Sequence, residues 1–267
     1  MIVHPDRIAA IFDRPRSAGR AALIVYLMAG DPDLETSAMV LEAVTAAGAD
    51  LIELGIPYGD PLADGPTIAA AGQRALAAGA TLAATLDLAR SAVARQAAPT
   101  IFFTYVNPVA QYGAERFAAA AAAAGVLGAI VPDVPLEEID AFAPAFHAHG
   151  LGIPLLVAPT TPPARAAAIA IRTDGFTYVV SRLGVTGARR EPDIVWIAAA
   201  VARLREHAVK PIAVGFGIST PEHVRRVARW ADGVIVGSAL IDAIGGRSGA
   251  AAADAAYEYV ASLKAAL

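Results

Sequence analysis

Eight short apolar runs, longer helix-forming stretches between them, and Gly or Pro at most strand exits predict an α/β fold. The expected architecture is a (β/α)8 TIM barrel with an extra N-terminal helix, a single domain over residues 1–267. The runs lie at 22–28, 50–54, 100–105, 128–132, 153–158, 176–180, 211–214 and 233–236. Each is almost continuously apolar, as parallel strands buried on both faces must be. Helical stretches are expected at 35–47, 67–95, 114–124, 136–149, 162–172, 191–208, 220–229 and 247–265, with 4–18 forming the extra helix. A weak internal repeat agrees: Ala-Ala-Gly-Ala-Asp-Leu-Ile-Glu-Leu-Gly-Ile-Pro at 46–57 echoes Ala-Ala-Gly-Val-Leu-Gly-Ala-Ile-Val-Pro-Asp-Val-Pro at 123–135. In both, a helix stops at Gly, a strand follows and Pro marks the exit. An open doubly wound sheet is the competing layout. It would want a Gly-x-Gly-x-x-Gly turn after the first strand, where Ala29-Gly30-Asp31-Pro32 stands instead.

Composition narrows the function. The chain is 56% hydrophobic and 17% charged, so a large core is available and extensive disorder is not expected. Its net charge is −4, and the Arg pairs at 189–190 and 225–226 do not extend into a basic stripe, which argues against nucleic acid or an anionic membrane as partner. The absence of cysteine excludes disulfide and thiolate chemistry and fits a cytoplasmic location. Five scattered histidines (His4, His147, His149, His207, His223) show no metal-ligand spacing, and no metal is expected. The N-terminus lacks a signal-peptide pattern, and no uninterrupted apolar run reaches a membrane span.

The densest chemistry is Glu53-Leu-Gly-Ile-Pro-Tyr-Gly-Asp60-Pro-Leu-Ala-Asp64-Gly-Pro66. Glu53 interrupts an apolar strand, where burial raises a carboxyl's pKa and suits it to proton transfer. Asp64 is eleven residues on, in a loop shaped by Pro and Gly that must fold back to bring the two acids together. Asp60 before Pro61 and Asp133 between two prolines read mainly as loop-shaping groups. Tyr26, Phe103, Tyr105 and Tyr178 fall on one rim and can line an apolar pocket. The loops Gly215-Phe216-Gly217 and Gly237-Ser238, after strands seven and eight, leave backbone N–H groups open to a phosphate, with Ser238 able to cap a short helix. Gly184-Val-Thr-Gly187 can add further amides.

Taken together these motifs resemble the tryptophan synthase alpha subunit family. The likeness extends to Ala29-Gly-Asp-Pro32, Tyr105-Val-Asn-Pro108, Gln111-Tyr-Gly113, Val131-Pro-Asp-Val-Pro135 and Gly215-Phe-Gly-Ile-Ser219, in order, over nearly the whole chain. The resemblance implies a carbon–carbon lyase that cleaves indole-3-glycerol phosphate to indole and glyceraldehyde 3-phosphate in tryptophan biosynthesis. It also implies a partner, the beta subunit, in an alpha2beta2 heterotetramer, with pyridoxal phosphate in that partner and no cofactor in this chain. By the same resemblance Glu53 and Asp64 match the catalytic pair and Tyr178 the active-site tyrosine. Gly187, Gly217, Gly237 and Ser238 match the phosphate-binding positions. Thr186 matches the threonine of the mobile loop, and Asp60 the aspartate it contacts. Gly59 stands where the family usually has Ser, and Met28 where Thr is common. Two other readings share the motifs: a stand-alone lyase releasing free indole, and a mainly regulatory barrel subunit. A generic sugar-phosphate isomerase would share the glycine loops but gives no reason for Asp64.

Overall fold

The computed structural model describes residues 6–181 and 191–267. Among these residues eight parallel strands follow one another: β1 (Ala22–Met28), β2 (Leu51–Gly55), β3 (Thr100–Phe103), β4 (Ala129–Ile130), β5 (Leu155–Val157), β6 (Thr177–Val180), β7 (Ile212–Gly215) and β8 (Gly233–Val236). The hydrogen-bonded order is β4-β3-β2-β1-β8-β7-β6-β5. The remaining seam, between β4 and β5, closes through a parallel bridge between Gly128 and Gly152. Glycine is needed at 128, because a Cβ there would lie 2.1 Å from the Gly152 carbonyl oxygen. The ring is therefore a closed barrel.

Strand periodicity sorts the side chains into two cores. Leu23, Val25, Leu27, Ile52, Leu54, Val214 and Val236 point outward and pack under the helices. Ala22, Ile24, Tyr26, Met28, Leu51, Ile101, Phe103, Tyr178, Ala213 and Ile235 fill the barrel. The expected N-terminal helix is shorter than the sequence suggests, a 3-10 turn at Ala9–Phe12 running into Asp13–Ser17. Its buried Ile8 and Phe12 belong to the barrel-interior core, and the Phe12 ring lies 5.7 Å from that of Phe176. Aspartates at the strand N-termini tie neighbours together: Asp50 accepts from Leu23 N at 2.8 Å and Asp232 from Ile212 N at 2.8 Å.

Element limits differ from expectation where a local breaker acts. The 67–95 stretch is two helices, Pro66–Ala77 and Leu82–Ala94, divided at Gly79 in the left-handed region (φ 86°) and restarted by the Thr81 side-chain cap. The 136–149 stretch is a 3-10 turn, Ile139–Ala141, and a short helix, Ala143–Ala148. A helix at Val106–Tyr112 was hidden in the sequence by Asn107 and Pro108; its N-terminal amide at Val106 is held by Asp133, at 3.0 and 3.2 Å. Asp133 thus shapes a loop, as expected. Trp196 packs on the core from the helix Ile194–Arg205, whereas Trp230 lies beyond the end of the helix Pro221–Ala228 and is half exposed.

Candidate active site

Glu53 sits on the interior parity of β2, paired in register with Tyr26 on β1 and Ile101 on β3. The side chain is 1% exposed, and its Oε1 has no hydrogen-bond partner. Burial alone pushes its carboxyl up to about 8. A protonated acid therefore faces the barrel axis at neutral pH.

Asp64 comes from the loop that follows β2. Tyr105, two residues beyond β3 and at the cap of the helix Val106–Tyr112, organises that loop through one hydroxyl: it donates to the Asp64 carboxylate and accepts from Ala63 N at 3.1 Å. Desolvation lifts Asp64 to about 6, opposed by the Tyr105 hydrogen bond. The Tyr105 ring lies 5.5 Å from that of Tyr58, whose hydroxyl accepts from Asn107 Nδ2 at 2.8 Å. Tyr105, expected to line the pocket, is absent from the cavity wall, and its hydroxyl is taken up by the loop that carries Asp64. Asp60 is exposed and does not face the cavity, while Leu62, beside it, is 73% exposed.

The two acids open onto one cavity at the C-terminal mouth of the barrel. Tyr26, Phe103, Tyr178, Phe216, Gly217, Gly237 and Ser238 line it with them, as the sequence suggested. Tyr26 and Phe103 meet edge to face with centroids 5.6 Å apart, and Tyr178 and Phe216 do the same at 5.8 Å. The acids and phenols sense one another: after desolvation, Asp64, Tyr105 and Glu53 raise Tyr26, and Glu53 raises Tyr178. Phe216 holds φ 73°, an uncommon conformation for a non-glycine residue, and its carbonyl accepts from the Ser181 hydroxyl. Gly237, rather than Ser238, occupies the cap of the helix Ser238–Ile244; Ser238 is its first residue. Thr186 and Gly187, together with Gly184-Val-Thr-Gly187 as a whole, lie outside the described residues.

Four lining residues were not singled out from sequence: Ala63, Ile68, Ile218 and Ile235. Parity in β8 marks Ile235, which alternates with outward-facing Val234 and Val236. Ile68, in the first turn of the helix after the acidic loop, carries no such signal. Met28 packs inside the barrel and receives the Tyr26 hydroxyl at its Sδ, 3.9 Å away.

The phenol rings need glycine beneath them. A Cβ on Gly55 would fall 2.2 Å from the Tyr26 hydroxyl, and one on Gly215 2.5 Å from that of Tyr178. Gly55→Ala is therefore expected to cost about 1–3 kcal/mol in denaturant unfolding and to displace Tyr26 from the cavity wall, lowering turnover. Unchanged stability and unchanged turnover together would mean that the ring yields without cost.

The profile of the tryptophan synthase alpha chain family matches residues 12–267. The chain belongs to this family. It is 52% identical over 235 residues to the tryptophan synthase alpha chain of Prochlorococcus marinus, covering 88% of this chain and 85% of that one. It is 48% identical over 269 residues to the chain from Acidiphilium cryptum, covering 98% and 97%. Among solved structures, Mycobacterium tuberculosis tryptophan synthase superimposes with a TM-score of 0.90 at 37% identity, covering 98% of both chains. The alpha chain of Legionella pneumophila gives 0.88 at 33%, with 98% of both covered. Tryptophan synthase alpha chains are carbon–carbon lyases of tryptophan biosynthesis that cleave indole-3-glycerol phosphate. No described helix is long and apolar enough to cross a membrane. Among the described residues no group of three or more His, Asp or Glu is placed to hold a metal ion.

Proposed function

We propose that Glu53 and Asp64 together carry the cleavage of indole-3-glycerol phosphate in this chain. The observation that supports this most is a buried, protonated carboxyl whose Oε1 has no partner, facing the same apolar cavity as an ionisable aspartate and bordered by glycine loops. The reaction is a retro-aldol cleavage, and the indole ring leaves only after its C3 is protonated. Glu53 gives that proton, and the ring nitrogen takes up the positive charge. Asp64, ionised, accepts a hydrogen bond from the indole N–H and offsets the charge. Glu53, now a carboxylate, takes the proton of the glycerol hydroxyl as the carbon–carbon bond breaks. Its electron pair returns to the ring, the hydroxyl carbon becomes the aldehyde, and Glu53 regains its starting proton.

Tyr26, Phe103, Tyr178 and Phe216 grip the indole ring. Gly217, Gly237 and Ser238 receive the phosphate, at positions that by the family resemblance also include Gly187. Binding of the phosphate positions the reacting bond near Glu53. Ser238→Asp should raise KM by about tenfold or more through repulsion of the phosphate, while kcat changes far less. Initial rates against substrate concentration read this directly, and an unchanged KM would remove Ser238 from the phosphate site.

The working protonation state needs Glu53 neutral and Asp64 charged. Free-enzyme kcat/KM should therefore form a bell, falling below about 6 as Asp64 protonates and above about 8 as Glu53 ionises. A profile flat from pH 5 to 9, about two units either side of neutrality, would contradict the assignment.

The chain acts as one barrel domain in the cytoplasm and passes indole to a beta subunit, which holds the pyridoxal phosphate of the second reaction. An alpha2beta2 assembly fits the exposed Leu62 and Asp60, which leave the loop carrying Asp64 open to a partner on the same rim. The test is indole release from indole-3-glycerol phosphate with and without added beta subunit. Strong activation supports the assembly; a high rate unaffected by the beta subunit favours a stand-alone lyase.

A further inference from the structure

The helix Pro221–Ala228 begins with a reciprocal cap whose outer member is a histidine. Thr220 is the N-cap, and its Oγ1 accepts from His223 N at 3.1 Å. The His223 ring turns back, so that its Nδ1 lies 3.4 Å from both Ser219 N and Ser219 Oγ. The arrangement is related to a capping box, in which a Glu or Gln at the third helical position reaches back to the N-cap N–H; here the ring reaches one residue further, to the amide that precedes Thr220. Neither Glu nor Gln changes its hydrogen-bonding role near neutral pH as an imidazole does. The ring is 7% exposed.

Ser219 ends the segment that lines the cavity with Phe216, Gly217 and Ile218. It is held on its other side as well, where the Tyr259 hydroxyl donates to its carbonyl at 2.8 Å. We propose that His223 is a positioning residue whose neutral ring, accepting from Ser219 N–H, sets the loop 215–219 for the phosphate. This rests on the placement of the phosphate under Proposed function.

The surroundings dictate the consequence. An Nδ1 that accepts leaves Nε2 carrying the proton, and Nε2 faces Glu191 Oε1 at 3.2 Å. Glu191 is shared with Arg226 at 2.9 Å on the histidine's own helix, where Glu222 and Arg225 pair with each other. Tyr259 reaches the cluster only through Ser219. Proton uptake turns Nδ1 into a donor: the ring can then bond Ser219 Oγ but no longer its N–H. The same protonation thus tightens the contact to Glu191 and releases the loop amide.

The decisive experiment compares wild type, His223→Gln and His223→Leu in indole release at pH 8 and near pH 6. Gln can accept from Ser219 N–H at either pH. Its KM should match wild type at pH 8 and lie about threefold or more below wild type near pH 6, the scale of one hydrogen bond lost. Leu should raise KM at both pH values with kcat within about twofold, because it removes the acceptor but touches no reacting atom. The ratio of wild type to His223→Gln cancels the titrations of Asp64 and of the substrate phosphate. A pH-independent ratio, or a Leu variant with wild-type KM, overturns the role of His223. Wild type that fails to cleave the substrate, or a Ser238→Asp variant with unchanged KM, overturns the underlying reading instead.

Discussion

Glu53→Gln is expected to lower kcat by about 10³-fold or more, since general acid–base catalysis alone supplies about 10²–10⁴ and Glu53 serves in both proton transfers. Substrate affinity should hold within a few fold, because the amide has nearly the carboxyl's shape. Steady-state indole release with substrate binding measured in parallel checks both halves. Substantial residual turnover would remove Glu53 as the proton carrier. A second signature is thermodynamic. Glu53 has its folded value near 8, above the unfolded 4.5. Its contribution to stability is therefore fully present below 4.5 and is lost as pH rises through 8. Across that window wild type should lose about 1.4 kcal/mol per pH unit relative to Glu53→Gln, most visibly in denaturant midpoints at pH 8. The site keeps its acid at a cost to the fold.

Asp64→Asn should reduce kcat by about 10²–10³-fold, the usual effect of removing one preorganised electrostatic contact to a developing charge. The amide cannot offset a positive ring, although Tyr105 can still donate to its oxygen. The Asp64 contribution to the acid limb near 6 should go with it, leaving only the ionisation of the substrate phosphate on that side and the fall near 8 intact. Tyr105→Phe supplies the complementary case. Losing the hydroxyl that lowers Asp64 should move that limb upward in pH while kcat falls less than in Asp64→Asn. An unshifted limb would show that Tyr105 only shapes the loop.

The barrel was legible because eight buried strands must be continuously apolar and must alternate with helices, and that rhythm survives in the bare sequence. Glu53 stood out for the same reason, as a carboxylate where the strand demands apolar side chains. Its direction comes from the structure: residues 51, 53 and 55 share one face of β2, and that face is the barrel axis. What sequence could not show is how loops spend their polar groups. Tyr105 reads as a pocket residue, yet its hydroxyl is committed to Ala63 N and Asp64. Asp60 reads as a loop-shaping group and is exposed on the loop that carries Asp64; the Thr186 it is expected to contact lies outside the described residues. The Tyr–Gly contacts at 55 and 215 join residues far apart in the chain, and no local pattern announces them. Helix limits moved wherever a single Gly or Pro divided an alanine-rich stretch, since alanine fits either face and hides the break.

The central claim is that a carboxyl inside β2 keeps its proton at neutral pH. Carbon-13 NMR of the chain labelled at glutamate carboxyls tests it directly, with the Glu53 signal assigned by its absence in Glu53→Gln. The expected midpoint is about 8, clear of the other glutamates. A midpoint in the ordinary range near 4.5, with turnover intact, would contradict the account.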